Sequence, residues 1–351
     1  MTRRLAFLVP GDPATRTGGY GYDRRIAAGL DARDWRVDLV RLSETFPFPT
    51  PAALAHADEM LAREPDGALV LADGLAFGAM PEPATRHAAR LRLVALVHHP
   101  LALEHGLTPA QADALVQSER DALAAARHVV VTSAGTAAAL ADWGVAADRI
   151  SVVEPGTDLA PLARGSGEPA LHLLTVASLT PRKGFDVLAD ALGAVSDRRW
   201  RLMCVGSLTR DAATAGRFTA ALTRRGLADR VHLAGELDTD GVGRAYDRAD
   251  AFVLASRHEG YGMVVAEALA RGLPVVATGT GAIADLVGQD AGLLVPAGDA
   301  GALGRALTCL LDDEVLRARL GAGARQRRAA LPDWRTACDR MAAALARVAD
   351  G

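Results

Sequence analysis

One lysine stands out in this chain of 351 residues. Of its 39 Lys and Arg residues, 38 are Arg and one is Lys183. A composition that drifts to Arg wherever a charge suffices leaves Lys where a compact ammonium is needed. Lys183 lies in Ser178–Asp186, SLTPRKGFD, after the apolar run Leu171–Ala177 and ahead of a helical pattern from Phe185. Loop amides at a helix N-terminus, with Arg182 and Lys183 beside them, suit an anion. A solvated basic turn is the ordinary reading of an Arg–Lys pair. A place at the C-terminal end of a parallel strand favours ligand binding instead. The loop is not a Walker loop, because GxxxxGK[ST] is absent.

A second stretch, Ser256–Ala270, reads SRHEGYGMVVAEALA. Glu259 precedes Gly260, Tyr261, Gly262 and Met263, and Glu267 follows eight residues after Glu259. Eight helical residues rise about 12 Å, an upper guide to the carboxylate spacing and the scale of a sugar plus a diphosphate. The glycines let backbone approach a ligand closely, and a helix starting near Gly262 favours an anion between the two carboxylates. Carboxylates accept from paired hydroxyls, so Glu267 suits a ribose and Glu259 a hexose. Glu267 sits among Val264, Val265, Ala266, Ala268, Leu269 and Ala270, and a buried Glu needs partners.

Other candidates are weaker. Gly18–Leu30 reads as loop then helix, and within Thr17–Arg25, TGGYGYDRR, Gly18 and Gly19 would let backbone crowd against a ligand. His98 and His99 end the strand-like run Arg92–Val97, where an imidazole can contact a ligand or carry a proton. Glu104 and His105 lie near them, but the spacing matches no zinc pattern and no metal is expected. Ser133 lacks the GxSxG setting of a hydrolase nucleophile.

Short, nearly continuous apolar runs alternate with helical patterns along the whole chain. Such runs indicate parallel sheets covered on both faces. Strands are expected at Leu5–Val9, Arg36–Val40, Ala68–Ala72, Arg92–Val97, Val129–Thr132 and Ile150–Val153. After the Gly- and Pro-rich stretch Glu154–Pro169, the alternation resumes at Leu171–Ala177. It continues with Arg201–Val205, Val231–Ala234, Ala251–Ala255, Pro274–Ala277 and Leu293–Val295. Helical patterns run from Ala302 to Arg328, including a charge-mixed helix over Asp312–Arg328, and from Trp334 to Val348. The expected class is α/β, two Rossmann-like doubly wound parallel-sheet domains. Residues 1–160 would form the N-terminal domain and 168–330 the C-terminal one, with a cleft between them. A last segment, 331–351, would be a helix packing back on the N-terminal domain.

Composition narrows the function. Net charge is −3 and aromatics are 4% of the chain, so neither a basic face nor stacking platforms for nucleic acid are expected. No apolar run approaches the roughly 18 to 20 residues of a membrane span. Arg3 and Arg4 precede an apolar stretch too short for a signal core, so a cytosolic protein is expected. Cys204, Cys309 and Cys338 are far apart and outside any CxxC, which suggests neither a disulfide framework nor a zinc site.

Together, SLTPRKGFDVLADAL (178–192), the E-x7-E stretch within SRHEGYGMVVAEALARGLPVVATGTGAIADLV (256–287) and AGLLVPAGD (291–299) resemble the family 4 glycosyltransferases. The likeness is strong over about 171–311 and looser in the first half. It implies a GT-B fold and a retaining, metal-independent hexose transfer from a UDP- or GDP-sugar. The acceptor would be a small molecule, glycan or lipid-linked hydroxyl. The nucleoside diphosphate sugar is a co-substrate, and no cofactor is expected.

By that resemblance Glu267 binds the donor ribose, Glu259 contacts the donor sugar, and the amides of Gly260, Tyr261, Gly262 and Met263 support sugar and phosphate. Arg182 and Lys183 grip the diphosphate. Gly206, Glu236 and Leu237 help form the base pocket, His98 meets the donor sugar, and Gly18 and Gly19 touch the donor phosphate. Ser178 stands where the family's commonest pattern has Arg, so Arg182 must replace that charge or the grip is weaker. A nucleotide-sugar 2-epimerase on the same scaffold and a non-enzymatic sugar-binding protein are the alternatives.

Overall fold

The computed structural model describes residues 2–104 and 106–351. In chain order its elements begin with β1 Arg3–Pro10, α1 Gly18–Asp31, β2 Trp35–Leu42, α2 Pro51–Arg63, β3 Leu69–Asp73, α3 Gly74–Phe77 and α4 Pro81–His87. Then come β4 Arg92–Val97, α5 Pro109–Ala125, β5 His128–Val131, α6 Ala134–Asp142 and β6 Ile150–Val152. The second series is β7 Leu171–Val176, α7 Phe185–Ala194, β8 Trp200–Val205, α8 Ala212–Arg224, β9 Val231–Gly235, α9 Thr239–Asp247 and β10 Ala251–Leu254. It continues with α10 Met263–Ala270, β11 Val275–Thr278, α11 Ile283–Val287, β12 Gly292–Val295, α12 Ala300–Asp312 and α13 Glu314–Arg328. The last helix is α14 Trp334–Asp350.

These form two compact units. One holds the residues through Gly156 together with Pro332–Gly351, and the other holds Thr157–Leu331. Each has a six-stranded sheet whose neighbouring strands pair in parallel. The orders are β2-β1-β3-β4-β5-β6 and β12-β11-β10-β7-β8-β9.

The central strands explain the pattern read from sequence. β3, β5, β10 and β11 are buried at every residue, as strands covered on both faces must be. Each Leu, Val or Phe side chain so buried contributes roughly 1.5–3 kcal/mol. Helix starts follow side-chain chemistry. Thr50 caps α2 with Pro51 in its first turn, and Thr108 with Gln111 forms a capping box on α5.

The glycine-rich stretch differs from expectation. α1 begins at Gly18 itself, with the Thr17 side chain accepting from the amide of Tyr20. Burial of Tyr22, Ile26 and Leu30 offsets a glycine cost of about 1 kcal/mol per residue. The helical stretch over 302–328 divides into α12 and α13, because Asp313 caps a new start with its carboxylate on the amide of Leu316. In the first unit α14 packs on α1. There a Cβ on Gly29 would lie 2.1 Å from Cys338 Sγ, and the Arg25 guanidinium sits 4.9 Å from the Trp334 ring.

Candidate functional site

In the second unit the strand order reverses between β7 and β10. Doubly wound sheets bind ligands outside the carboxyl ends of their strands at such a point. The loop after β7 makes a single turn at Pro181–Lys183, then Gly184 opens α7. The loop after β10 runs from Ala255 to Gly262 and opens α10. The two loops are stitched together. The Arg257 amide donates to Arg182 O at 2.8 Å, and Arg182 Nη1 donates to His258 O at 2.9 Å. The Arg257 guanidinium bridges Pro181 O and the Asp186 carboxylate.

That stitching brings Arg182, Lys183 and Glu259 together. Lys183 Nζ donates to Glu259 Oε1 at 2.5 Å, Ser256 Oγ donates to the same oxygen at 2.6 Å, and Arg182 Nη1 lies 3.4 Å from Oε2. Glu259 is buried, with 9% of its side chain exposed. Burial alone would raise its pKa, but Lys183 and Arg182 outweigh it and hold the carboxyl at about 2. Glu259 is therefore an acceptor throughout the neutral range.

Glu267 lies in the second turn of α10. Tyr246 Oη sits 3.0 Å from Glu267 Oε2 and 3.0 Å from Val264 O. Arg271 Nη1 donates to the Glu267 carbonyl, and its guanidinium lies 4.5 Å from the Tyr246 ring centre. Burial raises the Glu267 pKa, against the lowering effect of the Tyr246 bond. Tyr246 was not singled out by sequence. Only the fold carries a residue 21 positions away onto the Glu267 carboxylate.

The remaining candidates of this unit are spread along the same strand ends. Ser178 follows β7 and is half-buried, as are Gly260 and Met263, while Gly262 is buried. Tyr261 is buried beside Ala266 and Ala282 rather than presented on the surface. Gly206 follows β8, and its amide donates to Gly235 O at 2.9 Å. Glu236 is exposed and Leu237 half-buried just beyond β9.

The first unit holds a separate cluster at its own strand-order reversal, between β1 and β3. His98, just beyond β4, has Nε2 3.2 Å from Asp23 Oδ1 on α1 and 3.3 Å from Asp73 Oδ2 at the end of β3. Gly19 passes close to this ring, since a Cβ there would lie 3.5 Å from His98 Cδ2. Gly18 is exposed at the start of α1. Burial disfavours charge on His98, but the two carboxylates prevail and lift its pKa to about 10. Asp23 is pushed upward by burial and by Asp73. His99 pairs instead with Glu104 at 3.5 Å. His105 lies outside the described residues. The sequence reading missed Asp23 and Asp73; the single available signal was an acid in the first helix and another at a strand end.

Two parallel six-stranded sheets with flanking helices give the GT-B fold. Residues 170–313 match the family described as Glycosyl transferases group 1, and residues 22–161 the one described as Glycosyltransferase Family 4. The chain thus consists largely of these two glycosyltransferase domains and is homologous to the family 4 glycosyltransferases.

Among curated relatives, a D-inositol 3-phosphate glycosyltransferase of Thermomonospora curvata is 32% identical over 265 residues. That match covers 68% of this chain and 61% of the relative. Across the first relatives the matched share of their own length is 61%, 66% and 45%. Among solved structures, sucrose-phosphate synthase of Thermosynechococcus elongatus superposes with a TM-score of 0.83 at 24% identity. It covers 97% of this chain and 98% of that one. HepE of Anabaena in complex with UDP-glucose superposes with a TM-score of 0.78 at 20% identity, over 98% and 99% of the two chains. No helix among the described residues is long and apolar enough to cross a membrane.

Proposed function

We propose that this chain is a retaining glycosyltransferase that moves a hexose from a nucleoside diphosphate sugar to a hydroxyl acceptor without a metal. The observation that carries the reading is the Arg182–Lys183–Glu259 cluster at the strand-order reversal of the second unit, with Glu267 on the following helix. Homology to family 4 enzymes supports it, as does the likeness to a protein solved with UDP-glucose.

In this reading Lys183 and Arg182 hold the diphosphate leaving group. Charge grows on its oxygens as the sugar departs, and fixed cations stabilise that charge without reorganising. An ammonium has three N–H donors, so its bond to Glu259 uses only one of them. Glu259 accepts hydroxyls of the hexose and Glu267 those of the ribose. Losing one such cation raises the barrier by about 3 kcal/mol, roughly 100-fold or more in rate. UDP is the favoured nucleotide, with GDP next.

The test is a thermal-shift comparison of UDP, GDP and ADP on the wild-type chain and on Lys183→Ala. A true ligand at 100 times its Kd stabilises by about 2.7 kcal/mol. Lys183→Ala should abolish most of that shift for the nucleotide that binds. An unchanged shift in Lys183→Ala would remove the phosphate assignment.

A further inference from the structure

The His98 cluster has a geometry that fixes what the imidazole can do. Its Nε2 points at two carboxylates, on Asp23 and Asp73, each 1% exposed. Those acids come from two different elements that flank the strand-order reversal of the first unit. The edge of the Tyr22 ring packs on His98 at 5.3 Å between centres, and Trp334 backs Tyr22 at 6.0 Å. Thr132 Oγ1 donates to the His98 carbonyl at 3.0 Å and pins the backbone. The ring is therefore fixed from several sides. Nδ1 has no hydrogen-bond partner among the described residues, and 18% of the side chain is exposed.

The balance of charge decides the state of the ring. Two buried carboxylates beside one imidazole leave negative charge uncompensated unless the ring is protonated. Asp23 Oδ2 is itself buried with no partner among the described residues. Among the described residues the charged or titratable groups facing the ring are Asp23 and Tyr22 from α1 and Asp73 from the end of β3. None of them favours a neutral imidazole.

We propose that Asp23 and Asp73 are positioning residues that keep His98 a permanent imidazolium, so that Nδ1–H is a fixed donor to a ligand oxygen and never a general base. The ligand class is an oxygen-rich acceptor of hydrogen bonds, a sugar hydroxyl or phosphoryl oxygen. The link to catalysis rests on the glycosyltransferase reading; the protonation state does not.

Two measurements test the proposal on the full chain. The first is an NMR titration of the His98 ring in wild type, Asp23→Asn and Asp73→Asn, assigned with His98→Gln. The wild-type ring should stay charged well past pH 8, and each Asn variant should bring its midpoint down by about 1 to 3 pH units. A wild-type midpoint near the ordinary value of about 6.5 overturns the proposal even if neither variant folds. So does an unchanged midpoint in a folded variant.

The second is the pH profile of kcat/KM for nucleotide release from donor and acceptor. In Asp73→Asn a limb should appear in which activity falls about tenfold for each pH unit above the lowered midpoint. The wild type should show no such limb between pH 6 and 8. A wild-type rate that rises through pH 6.5 as the ring loses its proton would mark His98 as a base and overturn the assignment. Failure of the glycosyltransferase reading would remove the rate data but leave the titration intact.

Discussion

Lys183 Nζ and Glu259 Oε1 lie 2.5 Å apart although 76 residues separate them in sequence. Each belongs to a loop at the end of a central strand, and the two strands, β7 and β10, are adjacent. The ion pair is thus a product of sheet topology. With Ser256 and Arg182 it leaves Glu259 ionised despite burial.

Breaking one partner should hurt more than removing both. Lys183→Ala leaves a buried carboxylate without its main partner, a loss of about 3–5 kcal/mol when such a pair is broken. The double variant Lys183→Met with Glu259→Gln should recover much of that stability while nucleotide diphosphate binding stays lost. Urea unfolding and calorimetric titration with UDP would read the two effects. Wild-type affinity in the double variant would sink the phosphate assignment. The pH sign follows from a depressed carboxyl. The stabilisation is full above the unfolded pKa, near 4.5, and is lost as pH falls toward about 2.

Tyr246 should govern how well the second unit recognises a ribose. Its hydroxyl fixes the Glu267 carboxylate, and a typical hydrogen bond contributes about 0.5–1.5 kcal/mol. Tyr246→Phe should therefore weaken UDP binding by roughly 2- to 13-fold and shrink the preference for UDP over its dideoxyribose analogue. Glu267→Ala should abolish that preference. Full discrimination in Glu267→Ala would refute the ribose assignment itself. Full discrimination in Tyr246→Phe alone would refute only the role of the tyrosine.

What the sequence could reveal depended on whether the signal was local. The strands were legible because a doubly covered parallel strand writes itself as a continuous apolar run, as at Ala251–Leu254. Lys183 and Glu259 stood out as candidates because each closely follows such a run, and Glu267 because it is an acid among apolar neighbours on α10. Gly18 and Gly19 were misread because glycine signals a loop locally, while the packing of Tyr22, Ile26 and Leu30 that sustains the helix is non-local. Asp23 was illegible for a related reason. Its meaning comes from His98, 75 residues on, which only the sheet order brings to it. Tyr246 had no local mark beyond being one of the chain's four tyrosines.

Glu119 predicts an alkaline loss of stability. It is fully buried on α5, accepts from the Leu101 amide at 2.8 Å, and its other oxygen has no partner among the described residues. Burial lifts its pKa to about 8. A raised carboxyl is held protonated in the folded chain, so stability is greatest below the unfolded pKa and falls as pH rises through about 8. Glu119→Gln should flatten that slope between pH 5 and 9 and should unfold at a higher temperature than wild type at pH 9. Parallel Tm curves for the two proteins across that range would show that Glu119 is ionised in the folded state.

Gly184 tests whether the stitched loops matter to the ligand site. It has φ of 63°, and a Cβ there would lie 2.1 Å from the carbonyl oxygen of Ala255, which begins the loop carrying Glu259. Gly298 has φ of 79° but open space around the same position. Gly184→Ala and Gly298→Ala therefore share the left-handed backbone cost of about 1–2 kcal/mol and differ in the steric clash. The clash pushes the two loops apart where the Arg257 amide meets Arg182 O, and so separates Lys183 from Glu259. Gly298→Ala should lower Tm modestly and leave UDP affinity unchanged. Gly184→Ala should lower Tm further and weaken UDP binding by tenfold or more, about 1.4 kcal/mol. Equal affinities in the two variants would show that the site tolerates separation of the loops, and the cluster would then not be the element that holds the phosphates.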